Sequence, residues 1–383
     1  MKKIGIDARL YSQTGVGTYI RNLLHYLVQM EHNDITFYIY LLPSDFDQVE
    51  LPSKHFIKRK VSARWHTIAE QTIFYRDINR DDLDLMHFTY FSYPVVYKRP
   101  FIATVHDITP LILKTGRAST LNPLIYEIKH QIFKYVLSAQ IKNAKKIITP
   151  TQTVKDQLVE YYGKNIEPKI EPIYEGVNFE LLNAKENEKL RAKLTSPFFL
   201  YVGNFYPHKN VGRLVEAFKK MLKQVQHDNR PKLLLVGPDN MFAKKSKDKI
   251  KASKIENIEF MHDAKIEDLV YLYKNAKALV NPSLSEGFGL PLIEATHFGC
   301  PVIASDIAVF HELMGDGYVS FDPFDDEDIA EKLKTFNHLP PTLRSEYSSL
   351  VRRRVESAEH KNKIEKFSFE RMTEKVMELY MLS

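Results

Sequence analysis

The segment Pro282–Ala295 carries the residue types best suited to hold a charged ligand. Two glutamates, Glu286 and Glu294, flank a loop in which Gly287 and Gly289 expose backbone N–H groups, as a phosphate cradle requires. A proline follows at the start of a predicted helix, and a helix N-terminus also favours an anion. This arrangement suits a ligand with phosphates in its middle and hydroxyl groups at both ends, such as a nucleotide sugar. Two carboxylates also suit a glycosidase, but the glycines favour the phosphate ligand.

Two further residues with chemical potential follow other predicted strands. Lys209 ends the loop Gly203–Asn210, just before a helix that Asn210 could cap, and its charge could neutralise a phosphate there. His106, followed by Asp107, ends a strand at the edge where open parallel sheets bind ligands. A histidine in that position could donate to a substrate hydroxyl or transfer a proton. Lysine and histidine are more often structural or surface residues, so their placement carries the argument.

The glycines of Gly15-Val16-Gly17 follow the first predicted strand and open a helix. Glycines permit a tight turn and a close approach to a phosphate. A dinucleotide-binding fingerprint would need Gly or Ala where Ile20 stands, and an acid at the end of the second strand. Asp45 lies just beyond that strand. The pattern counts against an NAD-dependent dehydrogenase and leaves a purely structural turn as the alternative.

Short strands and helices alternate around these residues. In the first half, strands are predicted at Lys3–Asp7, Ile35–Leu42, Leu83–Phe88, Phe101–Val105 and Lys146–Thr149, and helices at Thr18–Val28 and from about Asn122. In the second half, strands are predicted at Phe198–Val202, Lys232–Val236, Ile258–Met261, Ala278–Asn281 and Pro301–Ala304, and helices at Val211–Lys223, Ile266–Asn275 and Phe367–Tyr380. Helices of this length between strands indicate parallel sheets covered on both faces. Two such runs predict two doubly wound domains with a crevice between them, and the polar segment Asn178–Lys193 is the predicted linker.

The length of 383 residues fits two or three domains, and 44% apolar and 27% charged residues are typical of globular proteins. Cys300 is the only cysteine, which excludes an internal disulfide framework and a cysteine-rich zinc site and fits a reducing compartment. No run approaches the roughly 18 apolar residues of a spanning helix. Asp7 and Arg9 stand where a leader peptide would need its apolar core, so we expect a first strand there.

The net charge of +6 is unevenly distributed, because residues 98–155 contain ten basic and two acidic residues, a net charge of +8. Such asymmetry indicates nucleic acid, an anionic membrane surface or a phosphorylated substrate as partner, or simply a solvated basic face. No recognised nucleic-acid module is present. Residues 244–254 hold six lysines and one acid, which predicts a solvated helix face or a mobile loop.

With these motifs in place, nearly the whole chain resembles the family 4 glycosyltransferases. The resemblance rests on Thr14–Gly17, His106-Asp107, Pro150–Leu158, Pro172–Asn178, Gly203–Asn210 and Glu286–Glu294, the last followed by Gly299–Ile303. It implies an α/β GT-B fold, in which two Rossmann-like domains face each other across a cleft and the C-terminal helix crosses back to the N-terminal domain. It also implies a retaining transfer from a nucleotide diphosphate sugar, with no metal and no cofactor. The chain is most similar to bacterial mannosyltransferases, which implies GDP-mannose as donor.

The resemblance further implies roles for individual residues. The catalytic residues would be His106, near the sugar C6 hydroxyl, Lys209, at the leaving diphosphate, and Glu286, at the donor-sugar hydroxyls. Glu294 would contact the ribose. The other donor contacts would come from Gly15, Gly17, Gly203, Asn204, Gly237, Asp263, Ala264, Gly287, Phe288, Gly289 and Leu290. Asn204 stands where many relatives carry Arg, and His262 where they often carry Gly, so both positions depart from the family pattern.

By the same resemblance, residues 1–177 with 367–383 form the acceptor-binding domain and residues 178–366 the donor-binding domain. The acceptor would be a glycan, free or linked to polyprenyl diphosphate, in cell-surface polysaccharide synthesis. Trp65-His66 and Tyr90–Tyr93 are candidates for its site. We expect a cytoplasmic enzyme whose helix from Asn122 rests its basic side on the inner face of the membrane. The alternatives are a nucleotide-sugar 2-epimerase of the same fold and a non-enzymatic nucleic-acid-binding protein.

Overall fold

The structure, a computed structural model, describes residues 1–32, 34–112, 123–252, 257–339 and 366–383. The chain divides into two compact units. The first comprises Met1–Glu175 and Ser368–Ser383, and the second comprises Gly176–Phe367. Of the basic residues counted above, Lys114 and Arg117 lie outside the described residues, as does the predicted helix start at Asn122.

Seven parallel strands form the sheet of the first unit. They are β1 (Lys2–Asp7), β2 (Ile35–Leu41), β3 (Phe56–Lys60), β4 (Leu85–Phe88), β5 (Phe101–Thr104), β6 (Lys146–Thr149) and β7 (Ile170–Pro172). Their order across the sheet is β3-β2-β1-β4-β5-β6-β7. In the register of the central strands, Ile4 pairs with Phe37 on one side and with Leu85 on the other. The two edge strands, β3 and β7, are those that the sequence pattern did not predict, because polar residues make up much of each strand.

Helices connect the strands of the first unit and cover the sheet. They are α1 (Val16–Gln29), α2 (Pro43–Phe46), a π-helical segment (Glu70–Phe74) that continues into α3 (Tyr75–Asn79), α4 (Thr109–Ile112), α5 (Pro123–Asn143), α6 (Gln152–Tyr162) and a 3-10 segment (Lys164–Lys169). The C-terminal helix (Phe369–Leu382) completes this unit and packs against α1. Its Tyr380 is buried, and the Tyr380 hydroxyl lies 2.7 Å from Nδ1 of His87 in β4.

Helix α5 is less buried than its sequence pattern suggests. Of the apolar residues whose spacing predicts it, Leu137 is buried, whereas Ile128 and Ile132 are 54% and 57% exposed. Tyr135, which continues the same stripe, is 66% exposed. The side that faces the core instead carries His130, Leu137, Gln140 and Ile141. The apolar spacing therefore predicted the helix correctly. It did not predict which side is buried, because that side includes the polar residues His130 and Gln140.

Six parallel strands form the sheet of the second unit: β8 (Phe198–Val202), β9 (Lys232–Val236), β10 (Ile258–Met261), β11 (Leu279–Asn281), β12 (Val302–Ser305) and β13 (Val319–Phe321). Their order is β10-β9-β8-β11-β12-β13. The α-helices are α7 (Phe179–Asn183), α8 (Leu190–Lys193), α9 (Val211–Lys223), α10 (Met241–Ala252), α11 (Ile266–Asn275), α12 (Leu290–His297), α13 (Ala308–Met314) and α14 (Asp326–His338). The described part of this unit also contains two 3-10 segments (Pro207–Lys209 and His227–Asn229). The predicted α/β class with two Rossmann-like domains is confirmed.

The predicted linker Asn178–Lys193 lies within the second unit and contains the short helices α7 and α8. The side chain of Asn178 accepts a hydrogen bond from the Glu180 N–H and caps α7. One apolar residue in each helix, Leu181 and Leu190, is buried and anchors it. A single anchor per turn in a polar sequence leaves too weak a periodic signal to predict either helix.

Helix α10 accounts for the lysine-rich segment up to Ala252, and residues 253 and 254 lie outside the described part of the chain. Among the described residues, no helix is long and apolar enough to cross a bilayer.

Candidate active site

Lys209 and Glu286 form an ion pair at the carboxyl edge of the second sheet. Lys209 ends the 3-10 segment after β8, and Glu286 lies in the loop between β11 and α12. The Lys209 Nζ atom lies 2.7 Å from each oxygen of the Glu286 carboxylate. The two side chains are 20% and 11% exposed, so the pair is shielded without being sealed from solvent. The sequence predicted both residues as site residues but gave no indication that they bind each other.

Neighbouring groups hold this pair in place. Ser283 donates its hydroxyl to a Glu286 oxygen at 2.8 Å, and the Leu284 N–H donates to the His208 carbonyl at 2.8 Å. The second bond ties the Lys209 loop to the Glu286 loop. Burial acts to raise the pKa of Glu286, but the charge and hydrogen bonds of Lys209, with the Ser283 hydroxyl, bring that pKa below its ordinary value. Glu286 is therefore held as a carboxylate with a cation beside it.

Glu294 has a different environment in the second turn of α12. It is buried, and the hydroxyl of Tyr273 in α11 donates to its carboxylate at 2.8 Å. Burial outweighs that hydrogen bond and raises the pKa of Glu294 to about 7. The two glutamates of the motif therefore differ in charge state near neutral pH, which residue types alone do not reveal.

Two glycines of the predicted donor site are required by the backbone. Gly289 precedes α12 with a φ of 101°, in the left-handed region that favours glycine. At Gly237, a Cβ atom would lie 2.0 Å from the carbonyl oxygen of Gly203, so the turns after β8 and β9 pack backbone to backbone. Between Gly289 and the ion pair lie Gly287 and Phe288, both buried, and Leu290 begins α12.

The turn after β10 completes this edge. His262 donates its Nδ1–H to the carbonyl oxygen of Gly237 at 2.8 Å, and Asp263 is exposed beside the half-buried Ala264. A histidine where relatives often carry glycine therefore braces the Gly237 turn. Asn204 contributes its carbonyl, which accepts a hydrogen bond from the Tyr201 hydroxyl.

One predicted cap is wrong. Asn210 precedes α9, but it adopts a left-handed conformation, and its side-chain amide donates to the Pro323 carbonyl at 2.8 Å. The side chain thus tethers the Lys209 loop to the segment after β13. The sequence could not show this contact, because β13 was not predicted.

The two glycines at the start of α1 have different surroundings, Gly15 as the residue before the helix and Gly17 as its second residue. Gly15 has a φ of 63°, and the space around its Cα is open, as an approaching ligand would need. At Gly17, a Cβ atom would lie 2.5 Å from the Tyr11 carbonyl oxygen, so this glycine lets α1 pack against the preceding loop. The structure therefore gives Gly17 a packing role and leaves a ligand-facing role open to Gly15.

His106 lies at the carboxyl edge of the first sheet, and both of its ring nitrogens face oxygen atoms. Nε2 lies 2.9 Å from the Thr89 carbonyl, and Nδ1 lies 3.2 Å from a carboxylate oxygen of Glu175. Both ring nitrogens of His106 are therefore engaged by oxygen atoms of the first unit. Glu175 is buried and lies in the segment Pro172–Asn178, but the sequence analysis did not predict a role for it.

A buried ionic cluster in the first unit also escaped prediction. Arg9 forms a two-pronged contact with Asp7, at 2.8 and 2.7 Å, and its Nη2 lies 2.7 Å from Glu70. All three side chains are at most 1% exposed. The guanidinium also lies over the Phe74 ring, 3.6 Å from its centroid. Asp7 ends β1 and Arg9 follows two residues later, and polar residues at a strand end could have been predicted as site residues. Glu70 is distant in sequence, so no pattern would have linked it to them.

Comparison with known proteins identifies the family of this chain. Residues 13–181 match the family described as Glycosyltransferase Family 4, and residues 183–354 match the one described as Glycosyl transferases group 1. The O-antigen chain mannosyltransferase RfbU of Salmonella typhimurium is 30% identical over 260 residues, which cover 67% of this chain and 69% of RfbU. The chain belongs to the family 4 glycosyltransferases.

Solved structures support the fold of this family 4 glycosyltransferase. Sucrose-phosphate synthase from Thermosynechococcus elongatus matches it with a TM-score of 0.75 and 19% identity, covering 100% of this chain and 99% of that one. HepE from Anabaena, in a complex with UDP and glucose, matches with a TM-score of 0.74 and 15% identity over the full length of both chains. The predicted GT-B class is confirmed.

Proposed function

We propose that this glycosyltransferase transfers mannose from GDP-mannose to a glycan or a polyprenyl-diphosphate-linked sugar, with retention of configuration and without a metal. The product would serve cell-surface polysaccharide synthesis. The observation that carries the proposal is the Lys209–Glu286 pair beside the glycine-led start of α12. RfbU is named as an O-antigen mannosyltransferase, which favours mannose as the sugar.

In the proposed reaction, the bond between C1 of the sugar and the diphosphate oxygen breaks, and its electron pair leaves with the diphosphate. The negative charge that develops there would be stabilised by Lys209 and by the N–H groups of the first turn of α12. Lys209 would turn from Glu286 towards the diphosphate, and Glu286 would then accept hydrogen bonds from the sugar hydroxyls. The ion pair keeps both groups charged and oriented before the donor binds.

The acceptor oxygen would attack C1 from the same face that the diphosphate leaves, and its proton would pass to a diphosphate oxygen. This route needs no protein nucleophile. His106 would exchange one of its two present ring contacts for the C6 hydroxyl, and Glu294 would bind the ribose of the donor. Lys209 supplies the positive charge at the leaving group, which is why we propose that no metal takes part.

The test is a binding and transfer assay with the purified full chain. We expect GDP-mannose to raise the melting temperature more than UDP-glucose or ADP-glucose does. With an acceptor glycan and excess EDTA, α-linked mannosyl product should still form, as judged by NMR of the anomeric proton. Preferential stabilisation by UDP-glucose would contradict the donor assignment, and loss of transfer in EDTA would contradict the metal-free route. Conversion of GDP-mannose in the absence of an acceptor would indicate an epimerase.

The same proposal gives α5 a role at a membrane that carries the lipid-linked acceptor. Its exposed stripe of Ile128, Ile132 and Tyr135 is accompanied by the exposed lysines Lys129 and Lys142. An apolar stripe beside cations suits a helix that lies in the interface of an anionic leaflet. Each lysine near such a surface contributes about 1 kcal/mol.

A further inference from the structure

His66 adopts an unusual backbone conformation in the loop that follows β3. Its φ is 56°, a left-handed value that few residues other than glycine adopt. The residue is exposed as a whole, although its ring packs against Phe91 and its Nε2 lies 3.3 Å from the Phe91 carbonyl. Its N–H points at Glu70 and Ser92, at 3.2 Å from Glu70 Oε2 and 3.2 Å from Ser92 Oγ. Backbone strain that the surroundings impose on an exposed residue is typical of binding sites.

The groups that hold His66 belong to the buried Arg9 cluster. Ser92 donates its hydroxyl to the Glu70 carboxylate, at 2.6 and 2.8 Å, and Glu70 accepts from Arg9. Arg9 also donates to the Ala63 carbonyl at 3.2 Å, at the start of the same loop. The loop after β3 is thus attached to the loop after β4 through a cluster with almost no access to water.

Aromatic rings cover this cluster on its outer side. The His66 ring stacks on Phe91, with centroids 6.0 Å apart and planes at 16°, and its centroid lies 5.7 Å from that of Tyr90. Phe91 is buried, whereas Tyr90 and Trp65 are half-buried. Ile68, in the same loop, is 85% exposed. An accessible aromatic surface fixed from beneath by a rigid ionic cluster marks a binding site rather than a core.

We propose that His66 and Tyr90 form a stacking platform for a pyranose ring of the acceptor glycan, and that Arg9 and Glu70 position this platform. The proposal rests on the assignment of a glycan acceptor above. The apolar C–H face of a pyranose fits the electron-rich face of an aromatic ring. A nucleotide also stacks on rings, but the buried cluster beneath pairs two carboxylates with one guanidinium, so it offers no positive excess to draw phosphates.

The platform shares its scaffold with His106. Thr89, which follows β4, donates its hydroxyl to the Asp7 carbonyl at 2.5 Å, and its own carbonyl faces His106 Nε2. Asp7 in turn binds Arg9. One hydrogen-bonded series within the first unit therefore joins the platform to His106.

The chain offers a direct probe, because Trp65 is its only tryptophan. We expect mannobiose to change the Trp65 fluorescence saturably, and GDP to leave it unchanged. Tyr90→Ala and His66→Ala should each weaken mannobiose binding about tenfold, the loss of one good ring contact. Tyr161→Ala, which removes an exposed tyrosine of α6, should change nothing. Mannobiose binding that both platform variants retain, or a fluorescence response to GDP but not to mannobiose, would overturn the proposal.

His66→Gly separates the ring from the backbone. Glycine adopts a φ of 56° without strain, so this variant should fold at least as stably as the wild type. If His66 only shapes the loop, His66→Gly retains mannobiose affinity; if the ring is a platform, affinity falls as in His66→Ala. For the positioning residues, Glu70→Gln should raise the acceptor KM and leave the donor KM unchanged. The fluorescence titration needs no donor, so it decides the platform even if GDP-mannose proves to be the wrong donor.

Discussion

The ammonium group of Lys209 lies 2.7 Å from both carboxylate oxygens of Glu286, which makes these two residues one unit of the proposed site. Each would be a costly buried charge without the other. In the proposed reaction they separate, and each binds a different part of the donor. In the resting enzyme, the pair therefore keeps the Lys209 charge at the proposed site before the donor binds.

Removing either member of the pair should lower turnover strongly. We expect Lys209→Ala and Glu286→Ala each to reduce kcat by roughly a hundredfold, because one preorganised charge contact is lost. The double variant should lose much less than the product of the two effects, since the residues act together. Steady-state transfer assays measure this, with Lys219→Ala in α9 as a surface control that keeps its activity. Near-normal rates in both single variants would contradict the assignment.

Donor affinity should increase with pH through neutrality because of Glu294. Its pKa of about 7 means that the group is largely protonated at pH 6, whereas ribose hydroxyls donate best to the carboxylate. Binding then releases a proton, so the association constant should rise up to about tenfold per pH unit below pH 7 and level off above it. Calorimetric titration with GDP-mannose between pH 5.5 and 8.5 measures the slope.

Glu294→Gln should flatten that profile, because the variant cannot titrate. Glu216→Gln, at an exposed position of α9, should leave the profile unchanged. If the affinity for GDP-mannose falls as pH rises, protonated Glu294 donates a hydrogen bond to the ribose instead. If the wild-type affinity does not change with pH, Glu294 does not contact the donor.

The first unit should lose stability as pH falls below about 6.5. Burial is the main cause that lowers the pKa of His87 to about 3, with a smaller effect of the nearby His106 charge. Between pH 6.5 and 3, the unfolded chain binds a proton at this residue and the folded chain does not. The free energy of unfolding should therefore fall by roughly 1.4 kcal/mol per pH unit in that window, because of this one group.

His87→Gln removes the titration and should reduce the slope of stability against pH, as measured by denaturant unfolding from pH 7 to pH 4. His297→Gln, at an exposed histidine of the second unit, serves as the control and should keep the wild-type slope. An unchanged slope in His87→Gln would show that the buried ring is not the group responsible.

Helix α5 should bind anionic vesicles in preference to neutral ones. The wild type should float with vesicles rich in phosphatidylglycerol and remain in solution with phosphatidylcholine alone. The double variant Ile128→Ser and Ile132→Ser should lose most of this recovery, because it removes the exposed apolar stripe. Leu182→Ser changes an exposed apolar residue of α7 and should float like the wild type. Equal recovery with both vesicle types would exclude charge as the cause.

Sequence reasoning succeeded where a residue's role depends on its neighbours in the chain. The central strands, the glycine-led start of α12 and the placement of Lys209 and Glu286 at strand ends all follow from local pattern. It failed at the edge strands β3 and β7, whose polar residues weaken the alternation on which strand prediction depends. It also assigned Asn210 a cap, although a tertiary contact with Pro323 occupies that side chain.

The contacts that set the chemistry lie between residues distant in the chain. Lys209 and Glu286 are 77 positions apart, and Arg9 and Glu70 are 61 positions apart. A single sequence does not show which acidic residue pairs with which basic residue, because many such pairs are possible. The elevated pKa of Glu294 likewise follows from burial beside Tyr273, which only packing of α11 on α12 creates.

The C-terminal helix, whose Tyr380 contacts both His87 and Lys2, has a consequence for synthesis on the ribosome. The first 175 residues emerge long before this helix does, since the whole second unit is translated between them. Until then the groove that receives Phe369, Val376 and Tyr380 is open to solvent. The first unit therefore begins to fold first but is completed last, after the second unit has been translated. During that time part of its apolar interior is exposed, and chaperones could bind there.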